Sequence, residues 1–314
     1  MADKKAIIDE TQFEAQYDAE AKLLLAQKPF LANILVRTVK DYMGLNPCDV
    51  EKLIEGEPYI STIPFEPGFT NSVQIKGMNS ENKVRNEGVA YFDILFYVRT
   101  ADGLSKVIIN IEAQKSEPTD YDVEMRGLYY AIREVSSQLD REFDSQNYND
   151  IKKVYSIWIC MNEKDNMLEK IYLTKNDIIG ISRWKDMYEI VNVVIIRLAK
   201  TLDLQTEHEL HRFLGALFLP ELSAEEKNDM LENEFNIKME GDRKELLKSM
   251  CNLSQGIKER GIEQGIEQGR REERISTLVT FFKNDGTVAA AKQMLNSSDE
   301  DIKIAKERLS MIEE

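Results

Sequence analysis

The sequence predicts an α/β or α+β protein: helices come first, a hairpin, a helix and further strands follow, and helices return at the end. Three observations predict this order. Apolar residues have helical spacing near the N-terminus, two strongly alternating runs flank an Asp-Gly pair, and the chain after Pro220 is charged and helical in pattern. We therefore expect one domain over residues 1–220 and a helical C-terminal appendage over residues 221–314.

Three helices are predicted before the first strands. Thr11-Gln12-Phe13-Glu14 has the capping-box pattern, in which a hydroxyl and a carboxylate satisfy N–H groups of a first helical turn. Pro29 is expected to open a second helix that ends near Gly44, and Pro47 a third that ends at Gly56. These limits follow because proline is favoured in a first turn and glycine after a last one.

Four strands are predicted in the middle of the chain. Residues 90–99 and 106–114 alternate in polarity and flank Asp102-Gly103, a strong signal for a hairpin turn. Residues 153–161 and 189–198 are rich in β-branched and aromatic side chains, which favour strands.

Two helices are predicted among and after these strands. They cover residues 121–143 and 207–219. In the first of them, five apolar residues at helical spacing predict the buried side. These residues are Met125, Leu128, Ile132, Val135 and Leu139.

Composition excludes several classes of protein. Of 314 residues, 42% are hydrophobic and 31% charged, which excludes collagen-like, low-complexity and wholly disordered chains. The N-terminus lacks the apolar segment of a signal peptide and no apolar run is long enough to cross a bilayer, so we expect no membrane association. Three cysteines without metal-ligand spacing favour a reducing cytoplasm.

His208 and His211 share a helix face without a third ligand, and we expect them at the surface or its boundary.

The formal net charge of −15 argues against binding nucleic acid through bulk charge, because affinity for phosphates normally comes from clustered Lys and Arg. Contact with DNA would require a locally basic groove. The sequence has no Gly-rich phosphate loop of a standard pattern, so no nucleotide cofactor is predicted.

Two carboxylates are expected in the apolar hairpin. If Asp102 and Gly103 are the central turn residues, Asp93 lies directly opposite Glu112. Directly opposed side chains have Cβ atoms roughly 4.5–5.5 Å apart, and like charges there are destabilising. A divalent cation between them, Mg²⁺ or Mn²⁺, is one explanation. The other is that one carboxylate is protonated, or that each pairs with a basic side chain such as Arg126 or Arg133.

Seven stretches of the chain form a recognisable series of motifs. They are Tyr17-Asp18-Ala19-Glu20-Ala21-Lys22, Gly77-Met78-Asn79, Asn86-Glu87-Gly88, Tyr91-Phe92-Asp93-Ile94, Ile109-Asn110-Ile111-Glu112-Ala113-Gln114-Lys115, Arg126-Gly127-Leu128-Tyr129-Tyr130 and Val154-Tyr155-Ser156-Ile157-Trp158-Ile159-Cys160-Met161-Asn162. This series resembles the PD-(D/E)XK nuclease superfamily, and within it the recombination-promoting nuclease and transposase branch. The resemblance spans residues 13 to about 275 and implies a restriction-endonuclease-like core, a mixed sheet flanked by helices.

The resemblance implies a metal site around Asp93 and Glu112. These two would bind Mg²⁺ or Mn²⁺, with the backbone carbonyl of Ala113 as a third ligand. Gln114 occupies the position of the motif lysine that orients water, and a neutral amide cannot carry its charge. Lys115 replaces that lysine only if a bulge redirects it.

Helical residues are expected to complete the site. Asp18 resembles the helix carboxylate that approaches the metal in this superfamily, but an exposed helix charge paired with Lys22 at i+4 is the simpler explanation. Arg126, Tyr130 and Arg133 would contact phosphates together with Lys22, or form an ordinary solvated helix face.

The resemblance implies a Mg²⁺-dependent DNA endonuclease associated with transposition or recombination, with weak activity because Gln114 replaces lysine. The alternative is a catalytically impaired module that keeps the fold and binds DNA or protein.

In the tail, Gly261, Gly265 and Gly269 recur every four residues. Close helix packing in a homo-oligomer would explain them, as would a hinge or disorder.

Overall fold

The computed structural model describes residues 16–60, 94–100, 103–112, 122–181, 189–201 and 208–313. The chain divides into two compact units, Met1–Leu253 and Ser254–Glu314. The domain limits inferred from the sequence stay a prediction. None of the described helices is both long and apolar enough to cross a membrane.

Nine helices and six strands account for most of the described residues, and they confirm the mixed α/β class. The helices are residues 16–25 (α1), Lys28–Thr38 (α2), Pro47–Glu51 (α3), Val123–Ser136 (α4), Glu209–Phe218 (α5), Ala224–Asn233 (α6), Asp242–Lys283 (α7), Val288–Met294 (α8) and Asp299–Glu313 (α9). The strands are Ile54–Ile60 (β1), Ile94–Thr100 (β2), Gly103–Glu112 (β3), Val154–Glu163 (β4), Met167–Tyr172 (β5) and Val191–Ala199 (β6).

The strands form one sheet in the order β1-β2-β3-β4-β6-β5. The central strands β3, β4 and β6 are parallel, whereas β1 pairs antiparallel with β2, β2 with β3, and β5 with β6. Parallel neighbours need a crossover connection, and α4 lies in the one that joins β3 to β4. Along the chain, α4 is therefore the described helix that comes after the carboxyl end of β3.

Alternation of side chains along β4 divides the hydrophobic core of the first unit. Ile157 belongs to the larger core, with Phe30 of α2 and Phe213 of α5, whose ring centroids are 6.2 Å apart. Trp158 belongs to the smaller core, with Ala131 of α4. Both faces of β4 and β6 are thus buried, as expected for parallel strands covered by helices.

The buried side of α4 differs from the predicted stripe. Met125 is 62% exposed and Ile132 is 50% exposed, whereas Gly127 and Ala131 are buried. A Cβ atom on Gly127 would lie 2.8 Å from both Trp158 Nε1 and Val193 Cγ1. The small residues of α4 therefore face the sheet, because they allow the helix backbone to approach the strands closely. Of the predicted stripe, Leu128 and Val135 pack partly buried on the smaller core, and Leu139 is exposed.

The start of the first edge strand lies where the sequence predicts the end of the third helix. The helix begins at Pro47 and is capped by the side chain of Asn46, which accepts a hydrogen bond from Cys48 N at 2.9 Å. It ends at Glu51, and β1 starts at Ile54. Gly56 does not terminate a helix; its φ of +56° lies within β1, where the pairing with β2 is irregular.

The hairpin of β2 and β3 forms with a register two residues away from the predicted one. Ile94 pairs with Ile109, and Thr100 with Gly103, so Gly103 belongs to the strand. The predicted direct opposition of Asp93 and Glu112 rested on the wrong register, in which Ile94 would pair with Ile111. A shift of two residues leaves every side chain on the same face, so apolar alternation could not distinguish the two registers.

The second unit has a core of its own. Arg271 of α7 bridges to Glu300 and Asp301 at the start of α9, at 2.6 and 3.2 Å. In α7, no described atom outside the adjacent backbone of the helix itself lies within 4 Å of a Cβ added to Gly261, Gly265 or Gly269. The helix is continuous there, and packing of this face in a homo-oligomer stays a prediction. The hydrophobic core of the second unit consists of Ile275, Leu278, Ala291, Ile302 and Ala305.

His211 connects α5 to the edge strand β5. Its Nε2 lies 3.1 Å from the carbonyl oxygen of Met167, and the residue is only 3% exposed. Its Nδ1 is buried and has no hydrogen-bond partner among the described residues. Burial lowers the pKa of His211, and this effect outweighs the hydrogen bond to Met167, which raises it. The folded protein therefore favours the neutral ring.

We expect the free energy of unfolding to decrease as pH falls below about 6.5, because the unfolded state then binds a proton that folded His211 resists. One such group contributes at most about 1.4 kcal/mol per pH unit. Urea unfolding at pH 7.5, 6.5 and 5.5 measures this slope. His211→Gln is expected to flatten it, whereas exposed His208→Gln is expected to leave it unchanged. Equal slopes in wild type and His211→Gln would contradict the assignment.

Candidate functional site

The carboxyl ends of the parallel strands bring chemically active residues into one row. Glu112, the last residue of β3, pairs with Cys160 of β4, and Cys160 pairs with Arg197 of β6. Ligands of open α/β sheets bind outside the carboxyl ends of the strands. The predicted metal ligand Glu112 therefore occupies a position typical of a ligand site.

Arg197 joins three elements at this end of the sheet. Its Nη2 donates to Oε1 of Glu124, in the first turn of α4, at 2.5 Å, and its Nη1 to Oε2 of Glu169, on β5, at 2.7 Å. Burial would lower the pKa of Arg197, but the two carboxylates outweigh that effect and raise it. Burial likewise opposes the ionised form of Glu124, yet the bond from Arg197 lowers the pKa of that carboxyl. Arg197 and Glu124 are therefore both charged at neutral pH.

Arg126 lies on aromatic rings one turn from the start of α4. Its guanidinium carbon is 5.4 Å from the ring centroid of Trp158 and 5.5 Å from that of Tyr130. Aromatic faces attract cations and hold a guanidinium in a fixed plane. The close approach of α4 at Gly127 places this arginine directly over the sheet.

Tyr130 and Arg133 are held by the fold as well. The ring centroid of Tyr130 is 5.8 Å from that of Trp158, so this tyrosine packs on the smaller core. Arg133 is buried, and its guanidinium carbon is 5.7 Å from the ring centroid of Tyr129. Neither residue belongs to a freely solvated helix face, which was one interpretation of the sequence. Their contact with phosphates stays a prediction.

Asp18 and Lys22 form the i, i+4 ion pair that was the alternative to a metal role. Lys22 Nζ lies 2.6 Å from Oδ2 of Asp18, and Lys22 is buried. The same helix contributes Ala21 and Leu24 to the larger core. A role of either residue toward metal or DNA stays a prediction.

The remaining predicted site residues lie outside the described residues. These are Asp93, Ala113, Gln114 and Lys115, while Glu112 is described through its backbone pairing. In the part of the chain that the structure describes, no group of three or more His, Cys, Asp or Glu residues is arranged to hold a metal ion.

A family model described as "PD-(D/E)XK nuclease family transposase" matches residues 66–256, more than half of the chain. The chain belongs to this family. The resemblance inferred from the sequence motifs is thereby confirmed. No curated protein and no solved structure matches the chain significantly.

The residues that match the PD-(D/E)XK nuclease family transposase model include Glu112, Cys160 and Arg197 at the carboxyl ends of the parallel strands, and Arg126 of α4. Arg197 and its partners Glu124 and Glu169 were not predicted from the sequence. A signal for Arg197 exists: it is the single charged residue in the apolar strand Val191–Ala199. Such a charge needs a partner or a function.

Proposed function

We propose that this PD-(D/E)XK nuclease family transposase is a Mg²⁺- or Mn²⁺-dependent endonuclease of the cytoplasm that hydrolyses phosphodiester bonds in DNA during transposition or recombination. The observation that carries the proposal is the position of Glu112 at the carboxyl end of β3, in one row with Cys160 and Arg197. Membership of a nuclease family supplies the reaction class.

Asp93 and Glu112 would hold the metal, with the carbonyl oxygen of Ala113 as a third ligand. The donor set fits, because carboxylate and carbonyl oxygens are the ligands that Mg²⁺ and Mn²⁺ prefer. Direct opposition of the two carboxylates is not required, since diagonal positions on neighbouring strands are only about 7–8 Å apart. When bound, the metal would polarise the scissile phosphate and lower the pKa of a water ligand.

The chain's own residues would orient the reactants. Gln114 would hold the attacking water in line through its amide, and Arg126 would contact the phosphate. Tyr130, Arg133 and Lys22 are further expected contacts. Because the net charge is −15, affinity for DNA would depend on such local contacts and would fall steeply with salt.

Plasmid cleavage at low salt tests the proposal. Wild type is compared with the double variant Asp93→Asn/Glu112→Gln in Mg²⁺, in Mn²⁺ and with chelator. We expect nicking by wild type only, and only with metal. Equal nicking by both proteins would indicate a contaminant and contradict the proposal, as would the absence of nicking by wild type.

A catalytically impaired DNA- or protein-binding module is the second candidate, and the observation in its favour is the neutral Gln114 in place of the motif lysine. It predicts metal-independent binding of DNA without cleavage. Gel-shift titration of wild type with Mg²⁺ and with chelator, beside the cleavage assay, distinguishes it, because a binding module would bind DNA equally well in both and leave it uncut.

A further inference from the structure

A buried lysine outside the candidate site lacks the carboxylate partner that such a residue normally has. Lys227 of α6 is only 2% exposed, and lysine is almost never fully buried unless it is paired. Its Nζ donates to the carbonyl oxygen of Leu217 at 3.1 Å, and no described carboxylate forms an ion pair with it. Leu217 lies in the last turn of α5, where carbonyl groups have no partner within the helix. This hydrogen bond explains only part of the burial of the amine.

The thiol of Cys251 is a second polar group at this amine. Cys251 lies on α7, and its side chain is hydrogen-bonded to that of Lys227. The residue packs against the larger core but stays partly exposed, so small molecules in the solvent can reach the sulfur. Both residues belong to the first compact unit. An amine and a thiol from two different helices are therefore in contact below the protein surface.

Burial disfavours the charged form of both groups. It lowers the pKa of Lys227, and this effect outweighs the contact with Cys251, which raises it. It raises the pKa of Cys251, and this effect outweighs the contact with Lys227, which lowers it. The pair is thus shifted toward a neutral amine and a protonated thiol. A desolvated neutral amine is a nucleophile, whereas an ammonium is not.

Cys48 and Lys52 provide a contrast within the same chain. Both residues are exposed, and Cys48 is close enough to Lys52 to influence its charge. The Nζ atom of Lys52, however, lies 2.8 Å from Oδ1 of Asp49, and this hydrogen bond raises the pKa of Lys52. Its amine therefore stays protonated and cannot attack a sulfur atom. Only the buried Lys227, which has no such carboxylate among the described residues, combines a nucleophilic amine with a neighbouring thiol.

We propose that Lys227 and Cys251 form a covalent sulfenamide cross-link when the protein meets hydrogen peroxide. In the first step the sulfur attacks the peroxide and the O–O bond breaks. The sulfur is oxidised by two electrons to a sulfenic acid, and the second oxygen leaves as water with the thiol proton. In the second step the amine forms a bond to sulfur, the S–O bond breaks, and the departing hydroxide takes one amine proton to become water. Sulfenic acids condense with backbone nitrogen in the same way.

This modification site is independent of the proposed nuclease function, and its effect would be on stability. The cross-link would join α6 to α7 and close the chain between positions 227 and 251 into a loop, which reduces the entropy of the unfolded state. The sulfenamide nitrogen keeps one proton, so it can still donate to the carbonyl oxygen of Leu217. We expect the midpoint of thermal unfolding to rise by about 5 °C or more.

Peroxide treatment of the full chain tests the inference. The Cys48→Ser variant is treated with hydrogen peroxide, the remaining thiols are alkylated, and the intact mass is measured. We expect a product that is lighter than the untreated protein by two hydrogen atoms and that reverts with dithiothreitol. Peptide mapping should show Lys227 joined to Cys251, with no cleavage by trypsin after Lys227.

Two variants in the same background each remove one partner. Neither Cys251→Ser nor Lys227→Gln should form the lighter product or show the rise in unfolding temperature, and Lys227→Gln should instead gain oxygen atoms at Cys251. Cys251→Ser keeps the buried amine, so it remains informative if Lys227→Gln does not fold. Wild type is the matched control, because its exposed Cys48 should gain oxygen atoms without becoming joined to Lys52.

Three results would overturn the inference. One is recovery of Cys251 as a free thiol after peroxide treatment of Cys48→Ser, and another is a Cys251 that only gains oxygen atoms. The third is a lighter product that persists in Lys227→Gln, since another group, such as the thiol of Cys160, then supplies the bond. None of these measurements involves DNA cleavage, so the proposed nuclease function is tested separately.

Discussion

Glu112→Gln alone is expected to reduce metal-dependent cleavage by about 10³-fold, because a bound metal stabilises transition-state charge by several kcal/mol and a neutral amide is a poor ligand for it. The substitution keeps the size of the side chain. Glu112 ends β3, so no later residue of the strand depends on it. The loss should appear in kcat at saturating DNA.

Glu112→Asp separates the effect of the carboxylate charge at this position from the effect of side-chain length. Aspartate keeps the carboxylate but is shorter by one methylene, so we expect weaker metal binding that higher Mn²⁺ concentrations partly restore. Glu57→Gln, at an exposed position of β1, is the matched control and should not alter the rate. A Glu112→Gln rate within about threefold of wild type would remove Glu112 from the metal site.

Gly127→Val is expected to lower the free energy of unfolding by about 3 kcal/mol or more. Overpacking of a buried site typically costs about 1–3 kcal/mol, and valine adds a rigid branched side chain where even a Cβ is too close. That Cβ would lie 2.8 Å from Trp158 Nε1 and Val193 Cγ1, both on buried strands. The helix would have to move away from the sheet, and Arg126 with it.

Urea unfolding followed by tryptophan fluorescence measures this loss, since Trp158 lies directly beneath Gly127 and the chain has only two tryptophans. Gly265→Val is the matched control. At that position of α7, no described atom outside the adjacent backbone of the helix lies within 4 Å of an added Cβ, so valine should be tolerated there. A change of less than about 0.5 kcal/mol in Gly127→Val would show that α4 can adjust without strain.

Elements with a strong local pattern could be predicted from the sequence. β4 and β6 are β-branched runs buried on both faces, and their limits agree with the predicted ones to within about two residues. The hairpin was found but its register was not, because registers two residues apart keep the same faces. The start of β1 was predicted as the end of a helix, because Gly56 is unusual inside a strand and is typical of a helix end.

The candidate site shows the same limit. Glu112 was identified from its motif, and the pairing of β3 with β4 gives it a neighbour, Cys160. Arg197 and Glu124 are 73 residues apart in the sequence and meet only because α4 crosses the sheet. The face of α4 could not be predicted from apolar spacing, since the close approach at Gly127 depends on the size of Trp158 across the interface.

The strand order has a consequence for the timing of synthesis. β5 precedes β6 in the chain, yet β6 lies between β4 and β5 in the sheet. The ribosome therefore releases Met167–Tyr172 before its hydrogen-bonding neighbour exists. At about 5–20 residues per second, the end of β6 follows the end of β5 by roughly 1–5 s. During that interval the nascent chain carries an unpaired strand, and a pause before residue 199 would prolong its exposure to chaperones and to neighbouring chains.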